Sequence, residues 1–281
     1  MRAEEKMQVV EIRTATLADI PAIVAVETGE EGPWGEPESC RRWTDRRLAR
    51  GFYIQVAFLD GEPAGHAEWV ESDEPNGKTF YLGVLQIKKE LQRHGIGRRM
   101  MSDGEAEARR RGCARVTLIP ELETGADAFY EKLGYRRARE IVYANSKTGI
   151  GAPVERIDRI PECVVREERF VLGFHQTASR HMWELIEHPA EGSDAQVARA
   201  HVPGGYVALR WFAGKTPHAL AWGTFSEEEA RAGCAALAHD LGFDAFTLAF
   251  DAAARPCLDM DACEIVSSEF EMEKRLLGGA I

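Results

Sequence analysis

No stretch of 18 apolar residues occurs in the 281-residue chain, so no sequence is present from which a membrane-spanning helix could form. The start of the chain, Met1 to Gln8, is polar and lacks the apolar core of a secretory leader, from which a cytoplasmic location is expected. Six cysteines, at 40, 113, 163, 234, 257 and 263, form neither a Cys-x-x-Cys pair nor a close Cys/His cluster. A zinc site or a disulfide framework therefore has little support, and no metal is expected. A surplus of positive charge is also missing. The formal net charge is −11, which argues against a nucleic-acid binder that works by neutralising phosphates. Two phosphate-binding glycine motifs are absent as well, the Gly-x-Gly-x-x-Gly of dinucleotide sites and the Gly-Lys-Ser/Thr ending of nucleoside triphosphate loops.

What is present is a different glycine loop, Gln92-Arg93-His94-Gly95-Ile96-Gly97-Arg98-Arg99, after the apolar run Tyr81 to Ile87 and ahead of a helical pattern. A loop joining a strand to a helix N-terminus presents unpaired N–H groups at the positive end of the helix dipole. Arg93, His94, Arg98 and Arg99 put basic groups where a helix favours acids, and this points to an anionic ligand. An ordinary turn before a surface helix, with solvated arginines, is the competing reading. The charge is unevenly spread, −2 over residues 1–147 and −9 over 148–281, and the balanced half holds the basic loop. An acidic surface favours cationic amines as partners, although acidity also serves solubility alone.

The first half reads β-α-α-β-β-β-α-β-α-β. Gln8 to Arg13 alternates as a strand; Thr16 and Asp19 form a capping box ahead of Ile20, Ile23, Val24 and Val26; a second helix runs from about Glu38 to Ala49. Strands Tyr53 to Leu59 and Ala64 to Val70 meet at the hairpin pair Asp60-Gly61, and Asn76-Gly77 turns into the strand Phe80 to Ile87. After the glycine loop, Ile96, Met100, Gly104 and Ala108 form a narrow stripe of mostly small groups, which lets a helix lie close to a sheet. Gly112 fits the position just past that helix, Ala114 to Ile119 reads as a buried strand, Gly125 to Leu133 as a short helix and Tyr135 to Tyr143 as a strand.

That order, with two motifs, resembles the GNAT superfamily of acyl-CoA-dependent N-acyltransferases. Gln92-Arg93-His94-Gly95-Ile96-Gly97 matches the family's Gln/Arg-x-x-Gly-x-Gly/Ala loop, and Ala126-Asp127-Ala128-Phe129-Tyr130-Glu131-Lys132-Leu133-Gly134-Tyr135 matches its Ala-x-x-Phe-Tyr-x-x-x-Gly-Phe/Tyr stretch. The resemblance covers roughly residues 8–145 and implies a mixed α/β fold of the acyl-CoA N-acyltransferase type. It also implies acetyl-CoA as co-substrate and transfer of the acetyl group to a primary amine. By the same resemblance the backbone from Arg93 to Arg98, with Gln92 before it, binds the coenzyme pyrophosphate, and Leu85, Gln86 and Ile87 offer backbone groups to the pantetheine arm and the thioester carbonyl. Tyr130 stands where the family often keeps a tyrosine near the thioester sulfur, and a phenol can protonate a departing thiolate; the alternative is a packing tyrosine. One departure is Glu123, where many members carry an Asn that contacts the coenzyme.

The general base is open. Glu68 and Glu71, on or just beyond the third strand, point to opposite faces, and either can act through a water. His66 shares the face of Glu68, and Glu90 follows the strand that precedes the loop. Trp34 with Glu30, Glu31 and Glu36 marks a loop suited to a cationic amine or simply to solvent.

Residues 148–281 carry a partial second copy. Ala106, Ala108, Gly112, Thr117 and Leu118 recur as Ala236, Ala238, Gly242, Thr247 and Leu248 at a constant offset of 130. Strands are expected at Arg169 to Phe174, Tyr206 to Phe212, His218 to Phe225 and Ala245 to Phe250, with helices at Ala178 to His188 and from Ser226 to Leu241. In the copy, Trp222-Gly223-Thr224-Phe225-Ser226-Glu227 replaces the phosphate loop, and three glutamates from Glu227 to Glu229 repel an anion. The expected organisation is an acetyltransferase domain at 1–147 and a degenerate GNAT-like domain at 148–281, which leaves room for a homodimer. The expected function is acetyl transfer to a small-molecule amine in a ternary complex; a protein lysine or N-terminal acceptor, or a non-catalytic acyl-CoA-binding module, are the alternatives.

Overall fold

The structure, a computed structural model, describes residues 9–26, 37–74, 77–149, 154–173, 178–188 and 194–276. These gather into two compact units. One holds the described residues through Glu71 together with Phe80–Gly112; the other holds Ser72–Thr79 and the described residues from Cys113 onward. This grouping by packing differs from a division after residue 147, which rests on motifs and on the repeat and stays a proposal.

The first unit is built on strands β1 (Val10–Thr14), β2 (Tyr53–Leu59), β3 (Glu62–Ser72) and β4 (Thr79–Ile87), in that spatial order. Its helices are α1 (Ile20–Val26), α2 (Pro37–Ala49) and α3 (Ile96–Arg110). Asp60 and Gly61 both have positive φ, 52° and 87°, so the β2–β3 turn has the twist that suits a two-residue hairpin. The Thr16/Asp19 capping box is present, and Asp19 also takes two bonds from Arg13, at 2.6 and 2.8 Å, tying the start of α1 to β1. The stripe on α3 is buried as its spacing implies: Ile96, Met100, Gly104 and Ala108 all face the sheet. Gly104 lies directly on the indole of Trp69, a fully buried β3 residue whose Nε1 donates to Gln55 Oε1 at 2.8 Å. A Cβ at Gly104 would stand 2.2 Å from that ring.

The second unit contains β5 (Arg115–Leu118), α4 (Ala126–Lys132), β6 (Arg136–Lys147), β7 (Glu155–Ile157), α5 (Val164–Glu167), β8 (Arg169–Leu172) and α6 (Ser179–Glu187). It continues with β9 (Gln196–Val202), β10 (Gly205–Trp211), β11 (His218–Gly223), α7 (Glu227–Asp240), β12 (Ala245–Asp251) and β13 (Cys263–Arg275). Its strands run β5-β13-β6-β12-β11-β10-β9-β7, with β8 paired to β11 off this path. One apolar cluster joins α7 to the sheet through Cys234, Leu237, Phe246 and Leu248. Another joins α5 and α6 through Val165, Met182, Trp183 and Trp222.

Strands β7, β9 and β13 go beyond the sequence reading. The last is the most consequential: β13 enters between β5 and β6, antiparallel to both, with Met272 opposite Leu118 on one side and Arg137 on the other. The final strand of the chain thus completes the sheet beside the Phe129-Tyr130 motif. The repeat, by contrast, superposes in kind: α3, Gly112 (φ 73°) and β5 match α7, Gly242 (φ 79°) and β12.

Replacing Gly104 by Val forces branched atoms into the Trp69 ring and should cost about 1–3 kcal/mol of stability, the usual range for overpacking. Urea denaturation followed by tryptophan fluorescence checks this; an unchanged midpoint would contradict the close approach of α3 to β3.

Candidate active site

The glycine loop is shaped by two left-handed residues. Arg93 has φ 68° and Gly95 φ 79°, so the chain turns twice between the end of β4 and the start of α3. Gly95, left-handed, is followed directly by the helical residues of α3, so the N–H groups at this helix start face an open end that suits an anion. Gly95 is the N-cap of α3 and has no side chain with which to cap it; the first turn contains no acid. Its carbonyl accepts from Arg99 N at 3.1 Å, while the amides of Ile96, Gly97 and Arg98 lie in the turn that a helix cannot pair internally.

The four basic residues divide into two pairs. His94 Nδ1 lies 3.0 Å from the carbonyl of Gln92 and 3.2 Å from that of Leu91, so this nitrogen carries a proton and the ring braces the loop. Arg99 donates to the carbonyl of Val10 at 3.0 Å and braces β1. Arg93 and Arg98 are exposed and form no ion pair among the described residues, which leaves their charge for a ligand. Gln92 reaches back with Nε2 to the carbonyl of Ile87 at 3.3 Å, so that carbonyl is engaged. Leu85, Gln86 and Ile87 are all half-buried, in the half of β4 that emerges from the core after Leu82.

The counterpart in the repeat is closed in two ways. Ser226 and Glu229 form a full capping box: Ser226 Oγ accepts from Glu229 N at 3.3 Å, and Glu229 Oε2 accepts from Ser226 N at 2.8 Å. On α7 the box pairs the amides of Glu229 and Ser226, in a turn that bears three acids. In addition β11 and β12 pair only near His218 and Thr247, and the space where they diverge is filled by the chain itself. There β8 pairs with Ala221 to Gly223 of β11, and the following residue, Gly173, exchanges two backbone bonds with Ala249 of β12, at 3.0 and 2.7 Å.

Tyr130 is buried in α4, edge-on to Phe129 at 5.1 Å and to Tyr135 at 5.8 Å between ring centroids. Burial pushes its phenol well above the ordinary value, so the group keeps its proton throughout the neutral and alkaline range. Glu68 is 1% exposed, and its Oε2 accepts from Arg47 Nη1 at 2.9 Å. The Arg47 guanidinium is stacked between Trp43 and Phe52, at 3.9 and 4.5 Å from the ring centroids. His66 is fully buried with Nε2 3.8 Å from Glu68 Oε1. This Arg47–Glu68–His66 arrangement joins α2 to β3, and no spacing in the sequence announces Arg47 as its member. Glu71 falls within β3, 4.0 Å from Arg111, while Glu90 and Glu123 are exposed. Trp34, Glu30, Glu31 and Glu36 lie outside the described residues.

Residues 19–135 match the model of the acetyltransferase (GNAT) family and form a domain of that family. The fold extends the likeness beyond this segment. A GCN5-related N-acetyltransferase from Kribbella flavida superposes with a TM-score of 0.67 at 14% identity, over 95% of this chain and 71% of that one. One from Anabaena variabilis gives 0.64 at 14% identity, over 96% and 73%. A tandem GNAT protein from the clavulanic acid biosynthesis pathway gives 0.54 at 14% identity, over 97% and 100%, and the strands of the C-terminal half fit a second GNAT-like domain. No curated protein sequence matches the chain.

A Gly95→Glu variant puts a carboxylate at the open end of α3 and a side chain on a left-handed residue, with nothing within 4 Å of its Cβ to crowd the fold. Coenzyme A affinity should fall tenfold or more, about 1.4 kcal/mol or above. Ser226→Ala should instead cost about 1 kcal/mol of stability and leave that affinity unchanged. Titration calorimetry with both variants decides; equal losses would deny the difference between the two helix ends.

Proposed function

We propose that the chain is an N-acetyltransferase that moves the acetyl group of acetyl-CoA to a primary amine of a small molecule, by direct transfer in a ternary complex. The GNAT domain at residues 19–135 supports acyl transfer. The single observation that carries the reading to this chain's own residues is the uncapped N-terminus of α3, which follows β4 and bears the unpaired charges of Arg93 and Arg98. It supports assigning the pyrophosphate to the amides from Arg93 to Arg98, with Gln92 and His94 holding the loop in shape. Leu85, Gln86 and Ile87 are then the residues along which the pantetheine arm lies. The net charge of −11 supports a cationic amine as the partner.

The chemistry follows from these roles. The neutral amine attacks the thioester carbonyl, the C–N bond forms, and the C–S bond breaks to release the coenzyme thiolate. Tyr130 is assigned as the acid that protonates this thiolate, on the strength of the motif it occupies. Its buried phenol donates a hydrogen bond that strengthens as charge grows on sulfur, and its proton passes along that bond to the sulfur as the C–S bond breaks. Glu68 is assigned as the base that takes the amine's proton through a water at Oε1, the oxygen that Arg47 does not hold. Arg47 and its two aromatic neighbours keep that carboxylate in place.

Tyr130→Phe should lower kcat by about a hundredfold, the lower end of what general acids supply, while coenzyme affinity stays within twofold. Because burial raises the phenol, the wild-type rate should show no loss from its ionisation below about pH 10. An unchanged kcat would remove the acid role. Glu68→Gln should lower kcat by about a hundredfold or more over a panel of amines while coenzyme affinity stays within twofold; an unchanged kcat in this variant would assign the base elsewhere.

A further inference from the structure

The second unit contains a groove of about 1360 Å³ to which the glycine loop contributes no residue. Its lining carries seven arginine and lysine side chains against five carboxylates, in a chain whose net charge is −11. A local surplus of cations within an acidic protein is the reverse of what solubility alone selects. Three arginines from three strands turn into the groove. Arg139 of β6 meets Glu271 at 3.2 and 3.4 Å and Asp251 at 4.0 Å. Arg115 of β5 meets Glu273 at 3.8 Å and donates to Thr79 Oγ1 at 2.9 Å. Arg169 of β8 donates to Glu227 at 2.7 Å and to the carbonyl of Phe225 at 3.0 Å.

The contacts of Arg139 and Arg115 to carboxylates are longer than the roughly 2.7–2.9 Å of a well-formed guanidinium–carboxylate bond. Glu271 and Asp251 orient the guanidinium of Arg139, and Glu273 with Thr79 that of Arg115. A further wall comes from Glu74, whose carboxylate is tied to Ser72 Oγ at 2.7 Å and to the backbone N–H of Ser179 at 2.9 Å. Burial raises its carboxyl above the ordinary value. The floor is rigid, since β13 is paired on both sides.

Spacing sets the size of the ligand. Arg115 lies opposite Arg275 and Arg139 opposite Glu271, four residues apart along β13 or about 13 Å, on strands two interstrand steps of about 4.8 Å apart, a separation that suits two anionic groups better than one. We propose that this groove binds a small organic anion bearing at least two carboxylate or phosphate groups, one held by Arg139 and another by Arg115, with Arg169 on the opposite wall. The proposal is independent of the coenzyme site.

The test is titration calorimetry of the full chain without coenzyme, using citrate and fructose 1,6-bisphosphate, with acetate and sodium chloride at matched ionic strength. Arg139→Gln and Arg115→Gln are compared with wild type after thermal unfolding has shown each to be cooperative. The expected result is saturable binding of citrate or of the bisphosphate, weakened tenfold or more by either variant and unaffected by Gly95→Glu. Which probe binds tells carboxylate from phosphate recognition. The proposal is overturned if neither probe saturates above the chloride baseline, if acetate binds as tightly, or if binding survives in both arginine variants or disappears in Gly95→Glu.

Discussion

An α-helix begins with backbone N–H groups that the helix itself cannot satisfy, and the two halves of this chain settle that requirement in opposite ways. At α3 the cap is Gly95, without a side chain, in a left-handed turn with basic neighbours. At α7 the cap is Ser226, which exchanges bonds with Glu229 in a turn that bears three acids. The proposed functional asymmetry of the two halves rests on this difference. An uncapped helix start gains by meeting an anion, and in the proposed function Arg93 and Arg98 supply charge to that ligand. The location of Gly104 on Trp69 serves the same end, because a helix lying this close to the sheet presents its first turn just beyond the emerging half of β4.

The C-terminal half has a structural part even where its own loop is closed. Its last strand, β13, fills the place between β5 and β6, so the sheet beside Tyr130 is complete only when the chain has been followed to Arg275. Its strand β8 lies where β11 and β12 diverge, with Gly173 reaching across to Ala249. The second half thus has the same succession of helix, left-handed glycine and strand as the first. The groove with Arg115, Arg139 and Arg169 draws on both halves of the chain, with β5 and β6 from the first and β8, β12 and β13 from the second.

Local signals were legible in the sequence wherever a few neighbouring residues decide the outcome. The Asp60-Gly61 hairpin, both capping boxes, the stripe on α3 and the helix ends at Gly112 and Gly242 fall where the spacing places them. The glycine loop was legible for the same reason. Strand β13 was not: Phe270 and Met272 alternate with acids in a readable way, but a bulge near Val266 breaks the period, and its partners lie more than a hundred residues earlier. The role of Glu68 depends on Arg47, a residue on another element whose aromatic sandwich has no sequence signature. The groove is assembled from side chains of several separate elements, which no local pattern could bring together. Among the cations of the loop, the sequence did not separate His94 and Arg99, which brace it, from Arg93 and Arg98.

The most direct test of the account is the stoichiometry of coenzyme A binding to the full chain, measured by titration calorimetry at low ionic strength, where phosphate contacts are strongest. One open helix end and one closed one predict a single molecule bound per chain. Two molecules per chain would show that the capped start of α7 and the space filled by β8 do not exclude the coenzyme, and none would show that the open end of α3 does not hold it.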